Sequence, residues 1–191
     1  MKILILGPQG SGKGTQAARI SSEYGYAHIA TGDILRSAIA AGSDLGLRVK
    51  PILDAGELVP DDLMIELIRG RLAEPDAAEG FVLDGFPRTL VQAEALDAML
   101  GEIGRPLSVV FEFLISDEAC IERLLGRAAL EGRSDDAPEA IAKRLALYHE
   151  LTEPVVEHYR ATGRLVGIHA DLTVNEVFGE VQAVLDRAGV A

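Results

Sequence analysis

Apolar residues along this chain fall into short unbroken runs separated by stretches with a helical period. Residues 3–6 (ILIL), 81–84 (FVLD), 108–115 (SVVFEFLI) and 164–170 (RLVGIHA) read as strands, and residues 27–30 (AHIA) as a weaker fifth. Runs without polar alternation mean burial on both faces, which belongs to a parallel sheet covered by helices. Between them, apolar residues recur at three- and four-residue steps. Ala17, Ile20 and Tyr24 form one such stripe, and Ile141, Leu145, Tyr148, Leu151, Val155 and Tyr159 a longer one. Ser134 and Asp135 are positioned to cap that long helix, and Pro154 is expected to kink or break it. A last helix is expected from Thr173, with Val174, Val177, Phe178, Val181 and Leu185 facing the core. Alternating strands and helices predict a doubly wound α/β fold with a five-stranded parallel sheet. Two stretches interrupt the alternation: residues 30–59 read as an inserted helical hairpin, and residues 126–137 as a short polar excursion.

The chain's 191 residues suit one domain with a full core. A formal net charge of −12 argues against nucleic acid or an anionic membrane as partner, because both need a basic footprint. Four of the 18 basic residues are lysine (Lys2, Lys13, Lys50, Lys143) and the rest arginine, the side chain whose planar fork grips phosphate in a bidentate way. Codon usage is the alternative reason for that bias. Cys120 is the single cysteine, so neither an internal disulfide nor a zinc-ligand spacing is available. The first apolar run stops after four residues at Gly7-Pro8, too soon for a secretory signal, and no run approaches the length of a membrane span. A cytoplasmic location is the expectation.

Directly after the first strand stands GPQGSGKGT, residues 7–15, with glycines at 7, 10, 12 and 14 and one lysine, Lys13. Glycines allow positive φ and remove side chains that would block close approach. Successive N–H groups at a helix start can then form an anion nest, with Lys13 reaching the outer phosphates. The strand–loop–helix context supports a P-loop NTPase fold; a glycine-rich structural turn is the alternative. Gly14 stands where such loops carry a hydroxyl and Thr15 follows it, so direct ligation of Mg²⁺ at that position is not expected.

Other residues fit phosphate chemistry. Arg123 and Arg127 lie four apart, on one helix face, Arg133 falls in the short excursion, and Arg144 falls on the helix after it. Asp84 ends a buried strand, where a carboxylate can orient the waters of Mg²⁺. Solvated surface charge, for the arginines, and a turn aspartate are the plainer alternatives. The four histidines read as packing or surface residues.

The glycine loop with Gln16 after it resembles that of adenylate kinases and related nucleoside monophosphate kinases. Further matches follow in family order: TGDILR (31–36), GELV (56–59), DGFPRT (84–89) with Gln92, ERLLGR (122–127), GRSDD (132–136) and KRL (143–145). The short stretch after Arg127 resembles the family's short, zinc-free lid, and Pro8 comes one position earlier than the family's loop proline. The resemblance implies transfer of a phosphoryl group from Mg-ATP to AMP, by a monomer, with Mg²⁺ but no zinc. It implies that Gly10, Ser11, Gly12, Lys13, Gly14 and Thr15 hold ATP together with Arg123, Arg127 and backbone near Leu172. It puts AMP in the 30–59 insert, with Arg36 and Arg88 on its phosphate. Its base is to be lined by Thr31, Glu57, Leu58, Val59, Gly85, Phe86, Pro87 and Gln92. It has Arg133 and Arg144 reach across both substrates, and it points to a cis Phe86-Pro87 bond. The catalytic set it implies is Lys13, Asp84, Arg88, Arg123, Arg127, Arg133 and Arg144. The side-chain amide of Gln92 can rotate to suit uracil as well as adenine. Thr31 favours AMP, because UMP/CMP kinases usually carry alanine there. A UMP/CMP kinase and a non-catalytic nucleotide switch remain alternatives.

Overall fold

A computed structural model describes residues 1–131 and 137–188. Its strands are β1 (Lys2–Leu6), β2 (Ala27–Ala30), β3 (Phe81–Asp84), β4 (Val109–Leu114) and β5 (Leu165–His169), all parallel in the order β2-β3-β1-β4-β5. Each lies within a residue or two of the run that predicts it. The strand order reverses at β1. Its C-terminal end therefore opens into the crevice between the loops that follow β3 and β4, where doubly wound sheets bind ligands.

The helices are α1 (Lys13–Tyr24), α2 (Thr31–Ala40), α3 (Asp44–Asp54), α4 (Asp61–Leu72), α5 (Leu90–Glu102), α6 (Asp117–Glu131), α7 (Pro138–Leu147), α8 (Glu153–Ala161) and α9 (Val174–Arg187). Strand side chains alternate between two cores, as the pleat requires. Ile3 and Ile5 face Ala17 and Ile20 of α1 and Val177, Phe178, Val181 and Leu185 of α9. Leu4 and Leu6 face the other side, against Leu35, Val49, Ile68 and Leu96 from α2 to α5 and Tyr159 of α8. A smaller cluster of Cys120, Leu124, Ile141 and Leu145 joins α6 to α7.

The insert is a tight pair of helices. The Ser43 hydroxyl accepts the Gly46 N–H at 3.1 Å, capping α3. A Cβ on Gly46 would sit 2.1 Å from the Ala38 carbonyl oxygen, so only glycine lets α2 and α3 approach this closely. At the other end of the chain Thr173 and Glu176 form a capping box that fixes the start of α9.

Three local expectations are corrected. Residues 126–131 continue α6 rather than opening an excursion: Ala128, Ala129, Leu130 and Glu131 are strong helix formers and extend the helix to Glu131. The long helix after the excursion starts at Pro138 with Ala137 in the cap position; Ser134 and Asp135 lie outside the described residues. The break expected at Pro154 is present, directly ahead of it. A π-turn at Tyr148–Thr152 absorbs the missing N–H, and Pro154 then sits in the first turn of α8, where proline is tolerated. In α9, Val174 is 51% exposed instead of facing the core. It is the first residue of the helix, ahead of the turn that packs on the sheet.

Candidate active site

The glycine loop leaves β1 at Gly7, whose φ is 147°, and enters α1 through two further residues with positive φ, Gly10 at 87° and Gly12 at 89°. The two are glycine for different reasons. A Cβ on Gly10 would lie 2.7 Å from the Cys120 carbonyl oxygen, so the loop is pressed against α6. A Cβ on Gly12 would meet nothing within 4 Å; it would project into open space. Gly12 is among the residues that line a cleft of about 560 Å³.

Lys13 is the first residue of α1, and its ammonium turns back over the loop. It donates to the carbonyls of Gly7 (2.7 Å) and Pro8 (2.6 Å) and lies 3.3 Å from the Ser11 hydroxyl. Burial pushes its pKa down to about 8; the negative charge of Asp84 opposes that fall, and Arg88 adds to it. Asp84 ends β3, in register with Ile5 of β1 and Ala30 of β2. Its Oδ2 is 3.4 Å from where a Gly14 Cβ would stand. The carboxylate thus occupies the side of the loop where the hydroxyl after the lysine is missing.

Arginines reach the cleft from several elements. Arg123 and Arg127 come from one face of α6, and Arg144 comes from α7. Arg123 is oriented by a 2.9 Å hydrogen bond from its guanidinium to the Ala170 carbonyl beyond β5. Arg88 follows β3 in the turn that holds a cis Phe86-Pro87 bond, and its Nε donates to the Gly85 carbonyl at 2.8 Å. Arg36 projects from α2, beside Asp33. Ser11, Thr15 and Leu172 line the same cleft, as do Phe86 and Pro87. Arg133 lies outside the described residues.

A narrow second slot of about 40 Å³ adjoins the cleft. Thr31, Glu57, Leu58, Val59, Met64 and Gln92 border it. Gly32, Arg36, Gly85, Arg88 and Arg144 border both spaces, so three guanidinium groups stand at their junction. Thr31 donates to the Asp84 carbonyl at 3.3 Å, and a Cβ on Gly85 would come within 2.5 Å of the Thr31 hydroxyl oxygen. The slot's polar wall is therefore packed directly on the end of β3.

Some residues here carry no signal in the local sequence. Thr152, in the π-turn, donates to the Arg88 carbonyl at 2.9 Å across 64 residues of chain. Tyr148 lines the cleft beside it. Gln16 donates to the Val174 carbonyl at 2.9 Å and ties the glycine-loop helix to the start of α9. Asp61, at the start of α4, holds the amide of Gln92. The one hint available was its place in the first turn after Pro60, which marks a helix start without naming the partner. The histidines stay outside both spaces: His149 pairs with Asp117 and Glu153, His158 with Asp97 and His169 with Glu180.

A parallel sheet in this order, with a glycine-rich loop running from its central strand into a helix, is the P-loop NTPase fold. A family model described as "Adenylate kinase" matches residues 5–164. The adenylate kinase of Stenotrophomonas maltophilia strain R551-3 is 45% identical over 185 residues, covering 97% of this chain and 99% of the relative. That of Xanthomonas euvesicatoria pv. vesicatoria strain 85-10 is 44% identical over 187 residues, covering 98% of this chain and 100% of the relative. The chain belongs to the adenylate kinase family.

Proposed function

We propose that this chain transfers the γ-phosphoryl group of Mg-ATP to AMP, reversibly, giving two molecules of ADP. The observation that carries the reading is the junction between the two spaces. The cleft beside the glycine loop has room for a triphosphate, the adjoining slot is bordered by Thr31 and Gln92, and Arg36, Arg88 and Arg144 stand where the two meet. Membership of the adenylate kinase family supports the same donor and acceptor.

Phosphoryl transfer asks a protein for in-line positioning and for positive charge around the moving group. The bare backbone of residues 10–15 receives the donor's phosphates, with Lys13 against the outer ones. Arg123 and Arg127 hold the donor from α6, with backbone near Leu172 against its base. Arg36 and Arg88 fix the acceptor's phosphate. Glu57, Leu58, Val59 and Gly85 line its base, which Thr31 and Gln92 read. Phe86 and Pro87 border the donor cleft and shape the turn that carries Arg88. Arg144, joined by Arg133 of the lid, spans both substrates. None of these steps needs a side chain to take a proton permanently.

The residues fit Mg²⁺ bound with ATP: Asp84 faces Gly14 at the loop and would hold the ion through water. Such an ion neutralises charge on the donor's phosphates. Among the described residues no group of His, Cys, Asp and Glu is arranged to hold a metal by itself. No helix among them is long and apolar enough to cross a membrane. The same reading places the enzyme in the cytoplasm, where its nucleotide substrates are, and takes it as a monomer.

Residues 30–59 form the acceptor-binding insert and residues 126–137 the short lid. The insert opens to admit AMP and closes to exclude water, which otherwise competes as acceptor. A panel of nucleoside monophosphates with Mg-ATP tests the reading. Two ADP formed for each ATP and AMP consumed is the expected result. Preference for CMP or UMP, or nucleotide binding without turnover, would overturn it.

A further inference from the structure

Gln92 is 2% exposed, and its amide is held at both ends. Nε2 donates to Oδ1 of Asp61 at 2.7 Å, and Oε1 accepts the backbone N–H of Arg88 at 2.8 Å. The same Asp61 oxygen accepts the Thr89 hydroxyl at 3.0 Å, and the Thr89 hydroxyl oxygen caps the Gln92 N–H at 3.2 Å. An ionised carboxylate only accepts and a backbone N–H only donates. A turned amide would set oxygen against oxygen and N–H against N–H, on a side chain that is itself buried.

An amide that can turn offers a base edge either order of donor and acceptor. A fixed one offers a single order. After its two internal hydrogen bonds Gln92 keeps one N–H and one oxygen lone pair. That pair matches the ring nitrogen and exocyclic amino group of a 6-aminopurine. A 6-oxopurine of the same size carries the inverse pattern, an N–H beside a carbonyl, and would demand the turned amide.

We propose that Asp61 is a specificity-determining positioning residue: by locking the amide of Gln92 it makes the acceptor site select 6-aminopurine monophosphates and reject the isosteric 6-oxopurines. Asp61 borders neither the slot nor the cleft; it acts through Gln92. The inference rests on AMP being the acceptor. It also removes the freedom that a glutamine otherwise has to serve bases of opposite polarity.

The test compares kcat/KM for AMP and for IMP in the wild type, Asp61→Ala, Gln92→Ala and the double variant, with KM for ATP alongside. The expected result is a fall of at least about tenfold in the AMP-to-IMP ratio in Asp61→Ala, with KM for ATP within about twofold of the wild type. In the Gln92→Ala background the same change has no further effect on the ratio. Asp61→Asn keeps the shape and, because its own amide can turn, removes one of the two restraints on Gln92, leaving only the Arg88 N–H to oppose the turned amide. It lowers the ratio by at least about threefold, and it decides the matter if Asp61→Ala does not fold. An unchanged ratio in a folded variant, or an equal fall without Gln92, overturns the proposal while leaving the kinase reading intact. A wild type inactive with AMP overturns both.

Discussion

Nζ of Lys143 lies 2.6 Å from Oε1 of Glu57, an ion pair joining the loop after α3 to α7. Beside it the backbones of Gly56 and Ala140 are so close that a Cβ on Gly56 would sit 2.8 Å from the Ala140 carbonyl oxygen. The loop after α3 and helix α7 therefore touch, and the ion pair is the polar part of that contact. Both partners of the pair are about half exposed, at 44% and 52%, so its contribution belongs to the range of about 0–1 kcal/mol. Glu57→Gln is expected to raise KM for AMP by about two- to fivefold at low salt, with kcat and KM for ATP little changed. The difference is expected to vanish at about 0.5 M salt, where surface charges are screened. Steady-state kinetics at two ionic strengths check this.

Gly10 and Gly12 separate fold from binding within one loop. Alanine at Gly10 meets α6 and also strains a positive φ, so Gly10→Ala is expected to lower Tm and weaken ATP binding together. Alanine at Gly12 meets nothing, and its strain costs about 1–2 kcal/mol. In the proposed ATP site its methyl group would crowd the phosphates. Gly12→Ala is expected to keep most of its stability and lose at least about a hundredfold in ATP affinity. Thermal melts and calorimetric titration of each variant read the two effects apart.

The elements that the sequence makes legible are those whose physics is local. Strand runs such as ILIL and FVLD are buried on both faces, so their apolarity survives in one dimension. The glycine loop is contiguous, and its glycines report backbone shape directly. What stays illegible depends on partners far along the chain. Nothing near Thr152 marks it as the donor to the Arg88 carbonyl, and nothing near Asp61 marks Gln92. The extension of α6 to Glu131 was hidden because Arg127, Glu131 and the polar residues after them mask good helix formers. Val174 shows the limit of periodicity: it keeps the apolar spacing, yet its backbone, through the carbonyl that accepts from Gln16, is what the site uses.

Thr152 carries a prediction that a sequence-only view would not make. It is 6% exposed and holds the carbonyl of the residue whose guanidinium stands between the two spaces. Thr152→Val keeps the shape and removes that hydrogen bond, at a cost of about 0.5–1.5 kcal/mol. KM for AMP is expected to rise at least about fivefold, with ATP affinity unchanged. Arg88→Ala, by contrast, is expected to fold normally and to lose on the order of 10³ in kcat.

Lys13 links the site to pH. Its ammonium is buried among loop carbonyls, and its pKa falls to about 8 from an ordinary 10.5. Between those values the unfolded chain keeps the proton and the folded one releases it. Stability therefore gains from this residue as pH rises from about 8 to about 10.5, by on the order of 3 kcal/mol. Lys13→Met is expected to fold, to be more stable than the wild type at pH 7, to lack that gain and to lose most activity. A polyphosphate beside the ammonium favours the charged form, so ATP binding at pH 8 is expected to take up a fraction of a proton. Calorimetry in two buffers of different ionisation enthalpy measures the uptake, which Lys13→Met should abolish.

His149 provides a titration of opposite sign, away from the substrates. Its ring stands between Glu153 at 2.6 Å and Asp117 at 2.9 Å, tying the π-turn to the start of α6. The hydrogen bonds to Glu153 and Asp117 raise its pKa above the ordinary 6.5. A raised histidine stabilises the fold fully below its unfolded value, and that contribution is lost as pH climbs through the raised one. His149→Gln is therefore expected to lower Tm more at pH 6 than at pH 9, with activity at pH 8 near that of the wild type. Melting curves of both proteins across that range decide it, and an equal deficit at the two ends would mean that the ring acts by packing rather than by charge.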